Sequence, residues 1–205
     1  MFCVIREYKM KSRLELDGLI EQIRSEFVPI VSKTHGFAAY TVTAADSGDL
    51  VTAGFFSDHS GADESVELAK DWVSRNVASS VDGPPRITAG EIVFMDSALS
   101  QSLGIGVMRR IKLKPGAKAE VVEMLRGKIL PIVKQTDGFE RMAAVDPQTD
   151  ELVVLAAYRD RASAAEAGSH AMAFMEKNGM HLVSGPPEMT DGTIKLRHVN
   201  EAAFA

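Results

Sequence analysis

Apolar residues along this chain keep two rhythms, and the whole succession of rhythms occurs twice. A short run rich in β-branched and aromatic residues opens the chain, Cys3 to Met10, and reads as a strand. Beyond it, Leu16, Leu19, Ile20, Ile23, Phe27, Ile30 and Val31 recur at three- and four-residue spacing, which puts them on one face of a helix. Two further strands, Phe37 to Thr43 and Leu50 to Phe56, flank Ala44-Ala-Asp-Ser-Gly-Asp49, whose turn chemistry predicts a hairpin. Asp58 then stands where a helix N-cap belongs, and Ala62, Val66, Ala69, Trp72 and Val73 give the following helix an apolar face that ends near Asn76. After Gly83-Pro-Pro85 comes a last strand, Arg86 to Met95.

The second half repeats this order. Phe27-Val-Pro-Ile-Val-Ser-Lys-Thr-His-Gly-Phe37 matches Ile129-Leu-Pro-Ile-Val-Lys-Gln-Thr-Asp-Gly-Phe139 at an offset of 102, and the same offset joins Gly83-Pro-Pro85 to Gly185-Pro-Pro187, Asp58 to Asp160 and Asn76 to Asn178. The first strands match one position later, Val4 to Met10 against Val107 to Leu113, which one deletion before the second copy's first helix explains. Two copies of a βαββαβ unit are therefore expected, residues 1–95 and 105–205, joined by a linker at 96–104. The fold class is α+β: two ferredoxin-like repeats, each an antiparallel sheet with two helices on one face, which share their other faces as an intramolecular, pseudo-dimeric α+β barrel. Pro29 and Pro131 sit inside helical stretches. A proline there lacks the donor and crowds the preceding turn, so a kink or break is expected near Phe27 and Ile129.

Composition narrows the chemistry. A net charge of −5 with no extended basic run speaks against a nucleic-acid groove. Cys3 is the single cysteine, so neither an intrachain disulfide nor a thiolate metal cluster is expected. No apolar run approaches a membrane span and the N-terminus lacks a leader pattern, which points to the cytoplasm. No His, Asp and Glu spacing suggests a metal site, and no dinucleotide fingerprint, nucleophile elbow or phosphate loop is present.

The order βαββαβ, the stretches Pro29–Phe37 and Pro131–Phe139, the hairpin and the Asp-(x)5-Glu helix start at Asp58 and Asp160 resemble the antibiotic biosynthesis monooxygenase-like family of the dimeric α+β barrel superfamily. The resemblance covers nearly the whole chain, twice. It implies ligand pockets between the helices and the sheet of each unit. It also implies oxygenation of a small hydrophobic, aromatic or polyketide-like molecule with no metal or flavin cofactor: a base makes the substrate anion, and the anion reduces O2. Haem-degrading members carry Asn on the first strand, where this chain has Arg6 and Glu7 in one copy and Arg109 and Arg110 in the other. A non-catalytic binding or scaffolding barrel is the alternative, and the particle is expected to be either a monomer with an internal pseudo-dimer or a homodimer.

Against that frame several residues stand out, each with a plainer role beside it. Trp72 is a wall for a planar ligand or a packing residue, and Phe174 is its counterpart. Asn76 and Asn178 are ligand-binding amides or helix-end residues. Arg6 and Arg109, on first strands, hold a ligand oxygen or pair with a carboxylate. Tyr40 is a further pocket candidate. His170, mid-helix between Glu166 and Phe174, is a general base or a histidine satisfied by its neighbours. Seven of the ten methionines lie in the second copy, where they suit an adaptable apolar pocket or fill an irregular core.

Overall fold

The computed structural model describes residues 1–96 and 103–204. Most of the linker expected at 96–104 therefore lies outside the described residues. The first repeat runs β1 (Phe2–Tyr8), α1 (Leu16–Gln22), α2 (Val28–Val31), β2 (Phe37–Ala45), β3 (Leu50–Phe56), α3 (His59–Asn76) and β4 (Arg86–Asp96). The second runs β5 (Ile105–Lys112), α4 (Lys118–Met124), α5 (Leu130–Val133), β6 (Phe139–Asp146), β7 (Glu151–Tyr158), α6 (Arg161–Asn178) and β8 (Glu188–Val199). The βαββαβ order is thus present in both. The first strands end earlier than the apolar run suggests. Met10 and Leu113 lie beyond β1 and β5 and make single bridges to Val81 and Val183 instead.

The prolines act as their chemistry requires. Residues Ile23–Phe27 and Leu125–Ile129 form π-helical turns between the two pieces of each first helix. The Val28 N–H reaches back to the Ile23 carbonyl and the Leu130 N–H to that of Leu125. The wider turn makes room for the rings of Pro29 and Pro131 and spares the chain the donor each lacks, so the helix shifts register without breaking. Both first helices end in glycine turns, with Gly36 at φ +66° and Gly138 at φ +84°. A side chain at Gly36 would also strike Ser57 and Asp58, the residues that start α3.

The predicted caps are in place. Asp58 accepts from the Gly61 N–H at 3.0 Å, and Asp160 accepts from the Ser163 N–H and hydroxyl, both at 2.9 Å. With each second helix anchored at its start, its apolar face lies on its sheet.

The chain forms two compact units that are not identical with the repeats. The first contains residues 1–91 and 192–204, the second residues 92–96 and 104–191. In the first unit the strand order is β4-β1-β3-β2-β8, in the second β8-β5-β7-β6-β4; β1 pairs antiparallel with β3 and β4, β2 with β3 and β8, and β7 with β5 and β6. The long last strands account for the difference. Arg86–Glu91 of β4 pairs with β1, while the remainder of β4 counts with the second unit. Likewise Gly192–Val199 of β8 pairs with β2 in the first unit. Each unit has its own core between helices and sheet. In the first, Phe27 packs edge-on against Tyr40 and tilted against Trp72, with ring centroids 5.6 and 5.5 Å apart. In the second, Val121, Leu125, Ile129, Leu152 and Ala167 occupy that layer, and its aromatic contact is the edge-on pair Phe139–Tyr158, with centroids 5.8 Å apart.

Candidate functional site

Strand alternation decides which side chains enter the space between sheet and helices. On β5 it sends Val107, Arg109 and Ile111 there, on β7 Val154, Ala156 and Tyr158, and on β6 Met142. The α6 face above them is built from small residues one helical turn apart: Ala164, Ala167, Gly168 and Ala171. These surfaces do not meet. They enclose a cavity of about 430 Å³, with Met172, Met175, Glu176 and Met180 along one side and the Gly185-Pro186-Pro187 turn beside them. Its walls are apolar except for Arg109, Tyr158 and Glu176.

The corresponding space in the first unit holds about 20 Å³, room for a single water. The repeat register shows why. Where the second unit has Ile111, Ile129 and Met142, the first has Tyr8, Phe27 and Tyr40. Gly168 and Gly179 stand opposite Val66 and Val77. Trp72 turns inward and is buried, its indole N–H donating to Glu26 at 3.3 Å. Its counterpart Phe174 is half-buried and absent from the cavity wall. The missing side chain at Gly179 has a further effect, because a Cβ there would lie 2.6 and 2.7 Å from the terminal atoms of Met175. Glycine lets that thioether lie back against the chain.

The paired arginines diverge through a reciprocal exchange. Arg6 is fully buried and donates to the carbonyl and hydroxyl of Ser65 on α3, at 2.7 and 2.9 Å. At the matching position α6 has Ala167, which offers no hydroxyl, while β8 carries Asp191 where β4 has Ala89. Arg109 therefore leaves the helix and takes Asp191 through both terminal nitrogens, one of them at 3.1 Å. One guanidinium is thus sealed in a core and the other lies on a cavity wall. Tyr158 stands near the Arg109–Asp191 pair. Burial is the main cause that pushes its phenol up to about 12, with Arg109 drawing it down and Asp191 raising it again. At neutral pH it is a fixed hydrogen-bond donor. In the first unit burial raises the phenols of Tyr8 and Tyr40, against the pull of Arg6.

The residues singled out from sequence are not gathered in one place. Arg109 lies on the large cavity. Trp72 and Tyr40 line the small one in the first unit, with Arg6 in the same core. Asn76 and Asn178 donate back to the carbonyls of Trp72 and Phe174, at 2.8 and 2.9 Å, and so close the last turns of α3 and α6. His170 is exposed on α6 and belongs to neither cavity wall. Met172, Met175 and Met180, part of the methionine excess of the second copy, do line the cavity, whereas Asp191, Tyr158 and Gly168 are not marked out by residue type. Subtracting one repeat from the other finds them, since Asp191 stands where the first copy has Ala89, Gly168 where it has Val66, and Tyr158 adds a hydroxyl to the ring of Phe56. Among the described residues no group of three or more His, Cys, Asp or Glu side chains is close enough to hold a metal ion. No helix among them is long and apolar enough to cross a membrane.

Two ferredoxin-like α+β units, one filled and one hollow, place the chain among proteins of monooxygenase-like fold. Residues 104–177, the greater part of the second repeat, match the antibiotic biosynthesis monooxygenase family model. The chain is similar over 97% of its length to a candidate monooxygenase from Fusobacterium nucleatum, with 94% of that chain covered, 10% identity and a TM-score of 0.74. A candidate monooxygenase from Lactobacillus acidophilus gives 97% and 95% coverage, 10% identity and 0.73. An anthrone oxidase-like protein gives 97% and 92%, 13% identity and 0.68. At such identities the likeness is one of fold. No protein of curated function matches the chain.

Proposed function

We propose that the second unit binds a small aromatic or polyketide-like molecule bearing an acidic oxygen, and oxidises it with O2 in the manner of a cofactor-independent monooxygenase. The observation that carries this reading is the apolar cavity of about 430 Å³ with a guanidinium on its wall. The fold shared with an anthrone oxidase-like protein supports it. In such a reaction a ring CH2 becomes C=O and loses four electrons. One oxygen atom of O2 enters the product, and the other leaves as water with the two hydrogens. Arg109 and the protonated Tyr158 stabilise the enolate or phenolate oxygen of the bound anion, and the apolar walls hold it out of water.

Binding without turnover is the second reading. It is favoured by the apolar lining of the cavity, which among the described residues includes no histidine, and by the engagement of Arg109 with Asp191. Anthrone separates the two. Saturable O2 uptake with matching anthraquinone, abolished in Arg109→Leu, is the expected result. Saturable binding with no O2 uptake above the buffer rate selects the binding protein. Failure of anthrone and of 8-anilinonaphthalene-1-sulfonate to bind at all sinks both readings.

A further inference from the structure

Gly168 is a glycine that the protein itself does not require. It lies in the interior of α6, an 18-residue helix, where its φ is not positive and no turn calls for glycine. A Cβ built on it meets nothing within 4 Å. Alanine would suit the helix better, because glycine loses more backbone freedom there. The open space around it is the cavity, and at the matching position of the first unit Val66 fills that space as part of the core. Gly18 and Gly127 are also unobstructed, but both open onto solvent. Gly168 alone of these three faces the cavity, between Ala164 and Ala171 on the same helical stripe and on the same cavity as Arg109.

A helix that keeps its weakest former where its own packing leaves a side chain free is making room for something that enters the cavity. We propose that Gly168 is a specificity-determining position: the bound molecule lies in van der Waals contact with the α6 backbone there, so that a single added methyl group excludes it. This inference rests on the second unit's cavity being the ligand site. It adds where the ligand lies and which residue limits its thickness.

The test titrates 8-anilinonaphthalene-1-sulfonate, an aromatic anion, into the full chain and its Gly168→Ala and Gly18→Ala variants, and follows thermal unfolding of each. Gly168→Ala is expected to raise the unfolding midpoint by ~2 °C or more while weakening the probe's Kd at least tenfold. Gly18→Ala, on the exposed face of α1, is expected to leave the Kd within twofold. Equal probe affinity in the wild type and Gly168→Ala overturns the proposal and leaves the cavity reading standing. A wild type that binds neither this probe nor anthrone overturns both. Should Gly168→Ala unfold at a lower midpoint, the residue is needed by the fold, and the proposal falls on that ground as well.

Discussion

At the scale of single residues, the difference between the two units comes down to a few side chains whose partners changed together. Ser65 holds Arg6 inward where the counterpart of Asp191 is only Ala89, and Asp191 holds Arg109 on a cavity wall where the counterpart of Ser65 is only Ala167. In the proposed site Asp191 would act on the ligand through that arginine, both as its anchor and as a competing anion. Asp191→Asn is therefore expected to tighten binding of an anionic probe by roughly 1 kcal/mol, about fivefold in Kd, with a steeper salt dependence; an unchanged Kd would show that the guanidinium is not what the anion meets. The cap residues give a pH signature. The carboxyl of Asp58 is held well below its ordinary value, first by the Ser60 hydroxyl and then by the Gly61 N–H. A depressed folded pKa contributes stability that is complete above the ordinary value of 3.8 and is lost as pH falls toward the folded one. Asp58→Ala is thus expected to unfold at a lower temperature than the wild type at pH 7, with the gap closing steadily below pH 3.8. A gap that stays constant down to pH 2 would assign the loss to something other than the charge.

Elements were legible in the sequence to the extent that a local cause fixed them. The prolines announced a disturbed helix, though not that a π-helical turn would absorb it and shift the apolar face by one residue, so that Val28 is buried and Ile30, expected on that face, is exposed. Asp58, Asp160, Gly36 and Gly138 read correctly as caps and turns, since their backbone chemistry is local. The site was less legible. Trp72, Asn76 and His170 drew notice as residue types, yet the indole is packed, the amide closes a helix and the imidazole faces solvent. A cavity is made by what is missing, and Gly168, Ala167 and Gly179 look unremarkable until set beside Val66, Ser65 and Val77. This contrast sets a measurable difference between equivalent helices. Trp72→Ala is expected to cost about 3–5 kcal/mol in a urea titration, from lost burial and the void left behind, whereas Phe174→Ala, half-exposed at the start, should cost markedly less. Equal losses would mean that α6 packs its sheet as tightly as α3.

At the scale of the whole molecule, the duplication that organises the sequence does not coincide with the units of the structure. The repeats are expected at 1–95 and 105–205, but β2 is completed by residues 192–199 and the far end of β4 counts with the second unit. The filled first unit predicts a simple stoichiometry: calorimetric titration of the aromatic probe should give one site per chain, and two equal sites would mean that the aromatic packing around Trp72 yields to ligand.

The traded strand ends have a consequence for the gene as well as for the fold. A message cut between the repeats would not encode two small proteins. A peptide of residues 1–95 would present the open edge of β2, with its unpaired N–H and C=O groups, to any strand it met. It should be found in aggregates, or in oligomers that supply the edge from another copy. Co-expressed with residues 105–205, it should return to the soluble fraction as a noncovalent pair.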